Sequence, residues 1–194
     1  MKSICILILW LTAFSPHSPN ENPVSNSKSI YFDLGNYLKL TFNGTYEFKY
    51  KELIYEKITN TEYHILSQGD QSPVTSKLII TDTSVTQILD WSKEEWYRFE
   101  FPISKGHKWK SKVRGAIHHY KIIDTSVTLE TPIGILNDCV KIWISWKSYG
   151  HDEAGSNEII LFLAPYLGIV KKMVYADGQL WHEEVVASIQ RQKK

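Results

Sequence analysis

Between residues 45 and 58 the chain reads TYEFKYKELIYEKI, in which Tyr46, Phe48 and Tyr50 alternate with Glu47, Lys49 and Lys51. A period of two sends successive side chains to opposite faces of an extended strand. The segments NYLKLTF before it and EYHILS, SKLIIT, TQILDW and EEWYRFEF after it repeat the same mixture of branched and aromatic residues, which suits a pleated, half-buried surface. Turn-prone neighbourhoods at Asn43-Gly44, Gly69-Asp70 and Thr81-Asp82 separate them. A short strand about every ten residues predicts an antiparallel meander. No segment sustains a helical period.

The second half continues in the same manner. HHYKIIDTSVTLE runs into Thr131-Pro132-Ile133-Gly134 and then into ILNDCVKIWISW, which predicts a hairpin because Pro presets the turn and Gly supplies a positive φ. On the return strand Val140, Ile142, Ile144 and Trp146 form a core face, and Cys139, Lys141, Trp143, Ser145 and Lys147 a mixed one. After a polar loop from Tyr149 to Asn157, EIILFLAP and LGIVKKMVYADGQLWHEEVVASI predict three closing strands with a turn at Ala176-Asp177-Gly178. Residues 159 to 163 are apolar on both faces, which predicts a central strand.

The first residues break this rhythm. Ser3 to Phe14 is an apolar stretch of roughly a dozen residues behind Lys2, the length of a signal-peptide hydrophobic region and too short to span a bilayer as a helix. SPHSPNENPVSNSKS follows, polar and rich in Pro, Ser and Asn, a composition that cannot offset its ordering entropy. The chain therefore divides into a signal peptide over 1–18, cleaved after Ala13 or near Ser18, a flexible leader over 19–29, one β-domain over 30–190 and a basic tail over 191–194. No transmembrane segment is expected in the mature chain.

Charge and cysteine usage narrow the classes. Loss of Lys2 turns 22 basic residues into 21 against 21 acidic ones, and this balance argues against a dedicated binder of nucleic acid or of anionic membranes. Without Cys5 only Cys139 remains, so no intrachain disulfide is available and the core must hold the fold. About 165 residues suffice for that.

Four stretches, YFDLGNYLKL (31–40), FPISKGHKWK (101–110), ETPIGILNDCVKI (130–142) and LFLAPYLGIVKK (161–172), together resemble a group of uncharacterised exported or lipid-anchored bacterial proteins. Members of that group open with an aromatic-Gly-aromatic segment and carry a Gly-x-x-Trp turn, a Thr-Pro-x-Gly hairpin leading to Cys, and an Ala-Pro-x-x-Gly-x-Val-Lys strand. Many also carry a lipid-acceptor cysteine behind the signal, which this sequence lacks. At a greater distance the order is similar to the curved half-barrel sheets of envelope lipid and lipoprotein carriers. The resemblance implies an all-β fold, a curved or barrel-like meander, and export to the periplasm or the exterior, with outer-membrane association as one form of it; no activity comes with it.

The familiar catalytic motifs are absent: there is no phosphate loop, no Gly-x-Ser-x-Gly, no Cys-x-x-Cys and no calcium loop. No cofactor is expected. His118 and His119 are adjacent and so point to opposite faces of a strand. His151, Asp152 and Glu153 are the candidate ligands for a divalent ion, read first as a solvated loop. His182 and Glu184 share one strand face, which could orient an imidazole for acid-base work but is read first as an exposed pair. Cys139, two residues from Lys141, is read as a small buried side chain rather than a nucleophile.

The aromatic excess points toward binding. Trp91, Trp96, Trp143, Tyr149 and Tyr166 are the candidate ligand-binding residues, set where a curved sheet could hold an apolar molecule or dock a partner. The leading expectation is a non-enzymatic exported domain that binds a lipid, another apolar small molecule or an envelope protein in the concavity of its sheet. A metal-dependent or hydrolytic envelope enzyme is the alternative, and a surface interaction protein without a pocket is the third.

Overall fold

The computed structural model describes residues 30–45, 49–69, 72–147 and 156–191. Its strands are β1 (Tyr37–Gly44), β2 (Tyr50–Lys57), β3 (Glu62–Gly69), β4 (Val74–Ile80), β5 (Ser84–Leu89), β6 (Glu95–Glu100), β7 (Lys108–Val113), β8 (Ala116–Thr131), β9 (Gly134–Lys147), β10 (Ser156–Ala164), β11 (Gly168–Ala176) and β12 (Gln179–Arg191). No helix occurs among the described residues.

The predicted all-β meander is present. All twelve strands form one antiparallel sheet in the order β6-β5-β4-β3-β2-β1-β12-β11-β10-β9-β8-β7. Two runs of consecutive hairpins are joined where the first strand pairs with the last, Leu40 opposite Ile189 and Phe42 opposite Val186. The sheet curls until its outermost strands, β6 and β7, touch. The result is a barrel closed everywhere except at one seam, and such closure hides the backbone edges that an open sheet would leave unpaired.

Side chains close that seam where the backbone ladder is missing. The Trp109 indole Nε1–H donates to the Arg98 carbonyl at 2.7 Å, and the Ser111 hydroxyl to Glu95 Oε2 at 2.7 Å. Trp109 also stacks on Tyr120, with ring centroids 5.0 Å apart. β7 is the one strand missing from the sequence reading. Its residues KWKSKV alternate buried Trp109, Ser111 and Val113 with exposed Lys108, Lys110 and Lys112, and lysine carries little β signal of its own.

An eight-stranded barrel leaves an interior just wide enough for side chains, and width grows with strand number. Twelve strands therefore need large residues inside, and Tyr55, Tyr63, Phe99, Trp109 and Tyr120 are all buried there with Leu38, Leu40, Ile142, Ile144, Leu161 and Val170. The predicted core face of the return strand is confirmed, with Val140, Ile142 and Ile144 buried and Trp146 half-buried. β10 lies between β9 and β11, in the central position expected of it.

One end of the barrel is plugged by the segment entering β1. Leu34 is fully buried and approaches Gly168, whose φ of +71° excludes most side chains. The Phe32 ring lies 5.5 Å from that of Phe99. The Tyr166 amide donates to the Ile30 carbonyl, and Arg191 donates to the carbonyls of Leu34 and Tyr166. Two of the four sequence motifs thus meet in this plug. Arg191, read from sequence as the start of the tail, is the last residue of β12.

β2 keeps the alternation of its segment and sets which face is inside. Tyr50 is exposed on the outer face, whereas Lys51 shares the inner face with Leu53 and Tyr55. Tyr46, Glu47 and Phe48 lie outside the described residues.

Candidate functional site

Away from the plug, the inner wall changes character. Lys51 on β2, Lys172 on β11, and His182 and Glu184 on β12 all face inward, in the half of the barrel nearest the β1–β2 and β11–β12 turns. Lys172 stands directly opposite Glu184 in the ladder, Nζ to Oε1 3.0 Å. Lys51 reaches past β1 to the other oxygen, Oε2, at 3.2 Å. His182 Nε2 lies 3.1 Å from Glu184 Oε1, and its Nδ1 lies 2.8 Å from the Thr45 carbonyl oxygen. Two ammonium groups and an imidazole thus surround one carboxylate.

The electrostatics follow from this crowding. Burial opposes ionisation of Glu184, but the attraction of Lys172 and Lys51 outweighs it and holds the carboxyl at about 2. Burial lowers the Lys51 pKa further than Glu184 raises it. At Lys172 burial is overcome by Tyr97 and Glu184, and the pKa rises. Tyr97 on β6 is itself pushed up by burial and senses the charges of both Lys172 and Glu184, so side chains from opposite walls converge here. The two lysines keep 29% and 20% of their side-chain surface accessible, while the adjoining Phe42 and Val186 keep 2% and none. Both lysine side chains thus stay partly accessible where their apolar neighbours are buried.

Towards the seam the wall carries His118, stacked on Trp146 with ring centroids 4.7 Å apart. Burial lowers the His118 pKa. His119 is exposed on the outer face, as adjacency in a strand requires.

The sequence-selected aromatics are not brought together on this wall. Trp143 sits on the outer face, opposite Ile160 and Lys121. Trp91 is exposed in the β5–β6 turn beside Trp96, and Tyr166 is exposed at the plugged end. Tyr149, His151, Asp152 and Glu153 lie outside the described residues. The expectation that His182 and Glu184 form an exposed pair is overturned, since both are buried. Their strand face turns inward because it continues the phase of Val186. Cys139 is buried, and burial together with Asp138 pushes its thiol up to about 11. Sequence reasoning missed Lys51 and Lys172. The available signal was phase: Lys51 alternates with Leu53 and Tyr55, and Lys172 with Val170 and Val174.

No known family profile matches the chain, and no curated protein matches it. Two solved structures share the fold. A protein of Bacteroides fragilis NCTC 9343, provisionally described as exported and as having a YmcC-like fold, aligns with a TM-score of 0.51 at 14% identity over 79% of this chain and 95% of that one. A protein of Parabacteroides distasonis ATCC 8503, provisionally described as a lipoprotein, aligns with a TM-score of 0.51 at 14% identity over 83% and 98%. At this identity the likeness is one of fold.

Proposed function

We propose that this chain is an exported, non-enzymatic binding domain whose barrel holds an amphipathic molecule, with an anionic head at Lys51 and Lys172 and its chain along the apolar inner wall. The observation that carries the reading is the pair of inward-facing, partly accessible lysines sharing one carboxylate. A second anion would complete the charge balance and gain charge-assisted hydrogen bonds. Export is supported by the signal-like N-terminus and by the descriptions of the two fold neighbours. The acid-base alternative has less support, because both ring nitrogens of His182 are already engaged.

Calorimetric titration with lauric acid, lauryl phosphate and dodecanol tests the reading. One or both anions bind, the alcohol binds at least about tenfold more weakly, and Lys172→Met removes that difference. Preference between carboxylate and phosphate tells which head group is native. Equal binding of acid and alcohol, or no binding of either anion, overturns the proposal. Native mass spectrometry of protein purified from its own cells would then identify the bound molecule by mass.

A further inference from the structure

The near-neutral total charge conceals a segregated surface. Lys108, Lys110 and Lys112 project from the outer face of the edge strand β7, Arg114 from the adjoining turn, and Lys121 and Lys147 from β8 and β9. Across this band, formed by residues 108–112, 117–121 and 143–147, no outward position carries a carboxylate. Among the described residues, none of these five lysines has an ion-pair partner. Glu158 on β10 and Glu100 on β6 bound the band.

At the end opposite the plug the same band meets exposed apolar side chains. Trp91 is 66% exposed and Ile117 57% exposed. The Arg114 guanidinium lies 5.9 Å from the ring centres of both Trp91 and Trp96. Trp91 and Arg114 belong to the β5–β6 and β7–β8 turns, and Trp96 and Ile117 to the strands β6 and β8 next to them, all close to the seam. Lysines on an edge strand also discourage edge-to-edge pairing. That role does not call for Lys121 and Lys147 on interior strands or for a protruding tryptophan and isoleucine.

We propose that this face docks on an anionic lipid bilayer, with the lysines and Arg114 against the head groups and Trp91 and Ile117 in the interfacial layer. The combination distinguishes a bilayer from a soluble polyanion. Both satisfy the cations, but only a bilayer offers the isoleucine an apolar environment, and indole rings favour the boundary between the two. The proposal stands independently of what the barrel holds. Docking here would nonetheless bring the end opposite the plug and the seam to the membrane.

Flotation of the exported protein with vesicles tests it. The protein binds vesicles of equimolar phosphatidylcholine and phosphatidylglycerol, added salt weakens binding, and vesicles of phosphatidylcholine alone bind far less. Replacing Lys108, Lys110 and Lys112 together by Gln lowers the partition coefficient about a hundredfold, at the usual contribution of a lysine near an anionic surface. Trp91→Ala with Ile117→Ala weakens binding to both kinds of vesicle and abolishes the blue shift of tryptophan emission on binding. Circular dichroism of each variant confirms the sheet. Absence of binding to anionic vesicles, or binding unaltered in the triple-Gln variant, overturns the proposal. So does tighter binding to heparin or duplex DNA than to vesicles, which would make the occupant a soluble polyanion.

Discussion

Lys172 and Glu184 stand opposite one another on β11 and β12 with Nζ and Oε1 3.0 Å apart, inside a barrel where Lys51, His182 and the apolar Phe42 and Val186 are their inner neighbours. A buried ion pair carries a desolvation cost that its own attraction only partly returns, and removing one member leaves the other uncompensated. Glu184 answers two lysines, so its replacement strands both. Glu184→Gln is expected to destabilise the fold by about 3–5 kcal/mol, measured by urea denaturation at neutral pH.

The same carboxylate gives stability a pH dependence. Its pKa lies at about 2 in the folded chain against 4.5 for an ordinary glutamate. A depressed folded pKa contributes stability that is present above 4.5 and lost as pH falls from there towards 2. The loss across that window is on the order of 3 kcal/mol. Denaturation midpoints recorded down the acid limb should show it, and Glu184→Gln should flatten the part of the curve that Glu184 contributes.

The seam is a second point of leverage. Trp109 replaces a missing stretch of backbone ladder by donating its indole N–H to the Arg98 carbonyl. Trp109→Phe keeps a ring against Tyr120 but removes the donor. A loss of about 1 kcal/mol follows from the missing hydrogen bond to the part-buried carbonyl. Hydrogen exchange should quicken first in β6 and β7; uniform quickening across all strands would show that the seam is not a separate weak point.

Cys139 should be silent in the folded protein. Burial and the neighbouring Asp138 disfavour its thiolate, and the thiolate is the reactive form. A thiol reagent such as 5,5'-dithiobis(2-nitrobenzoic acid) is expected to label it only after denaturant unfolds the chain. Rapid labelling under native conditions would contradict the buried assignment.

At the plugged end, Leu34→Ala removes a fully buried side chain packed over Gly168. The expected cost is about 2–5 kcal/mol, with Gly168→Ala adding strain because its φ is +71°. Thermal unfolding of the single and double variants measures both, and their contact predicts non-additive effects.

What the amino-acid order decided by itself was local. The period-two alternation of Val140, Ile142, Ile144 and Trp146, the Thr131-Pro132-Ile133-Gly134 hairpin and the doubly apolar run from 159 to 163 each specified an element that the fold contains, because pleat and turn chemistry act over a few residues. Tertiary structure decided which face of a strand is inside and which strands end up adjacent. Alternation sets Tyr50 and Lys51 on opposite faces, but only the pairing of β1, β2 and β12 decides that Lys51 shares the interior face with Phe42 and Glu184. Lys51 and Glu184 are separated by 133 positions, and no local pattern records a contact at that distance. Charge behaves in the same way: a balanced total is a property of composition, whereas the basic band exists because pairing sets β7, β8 and β9 side by side in a register that gathers their lysines on the outer face.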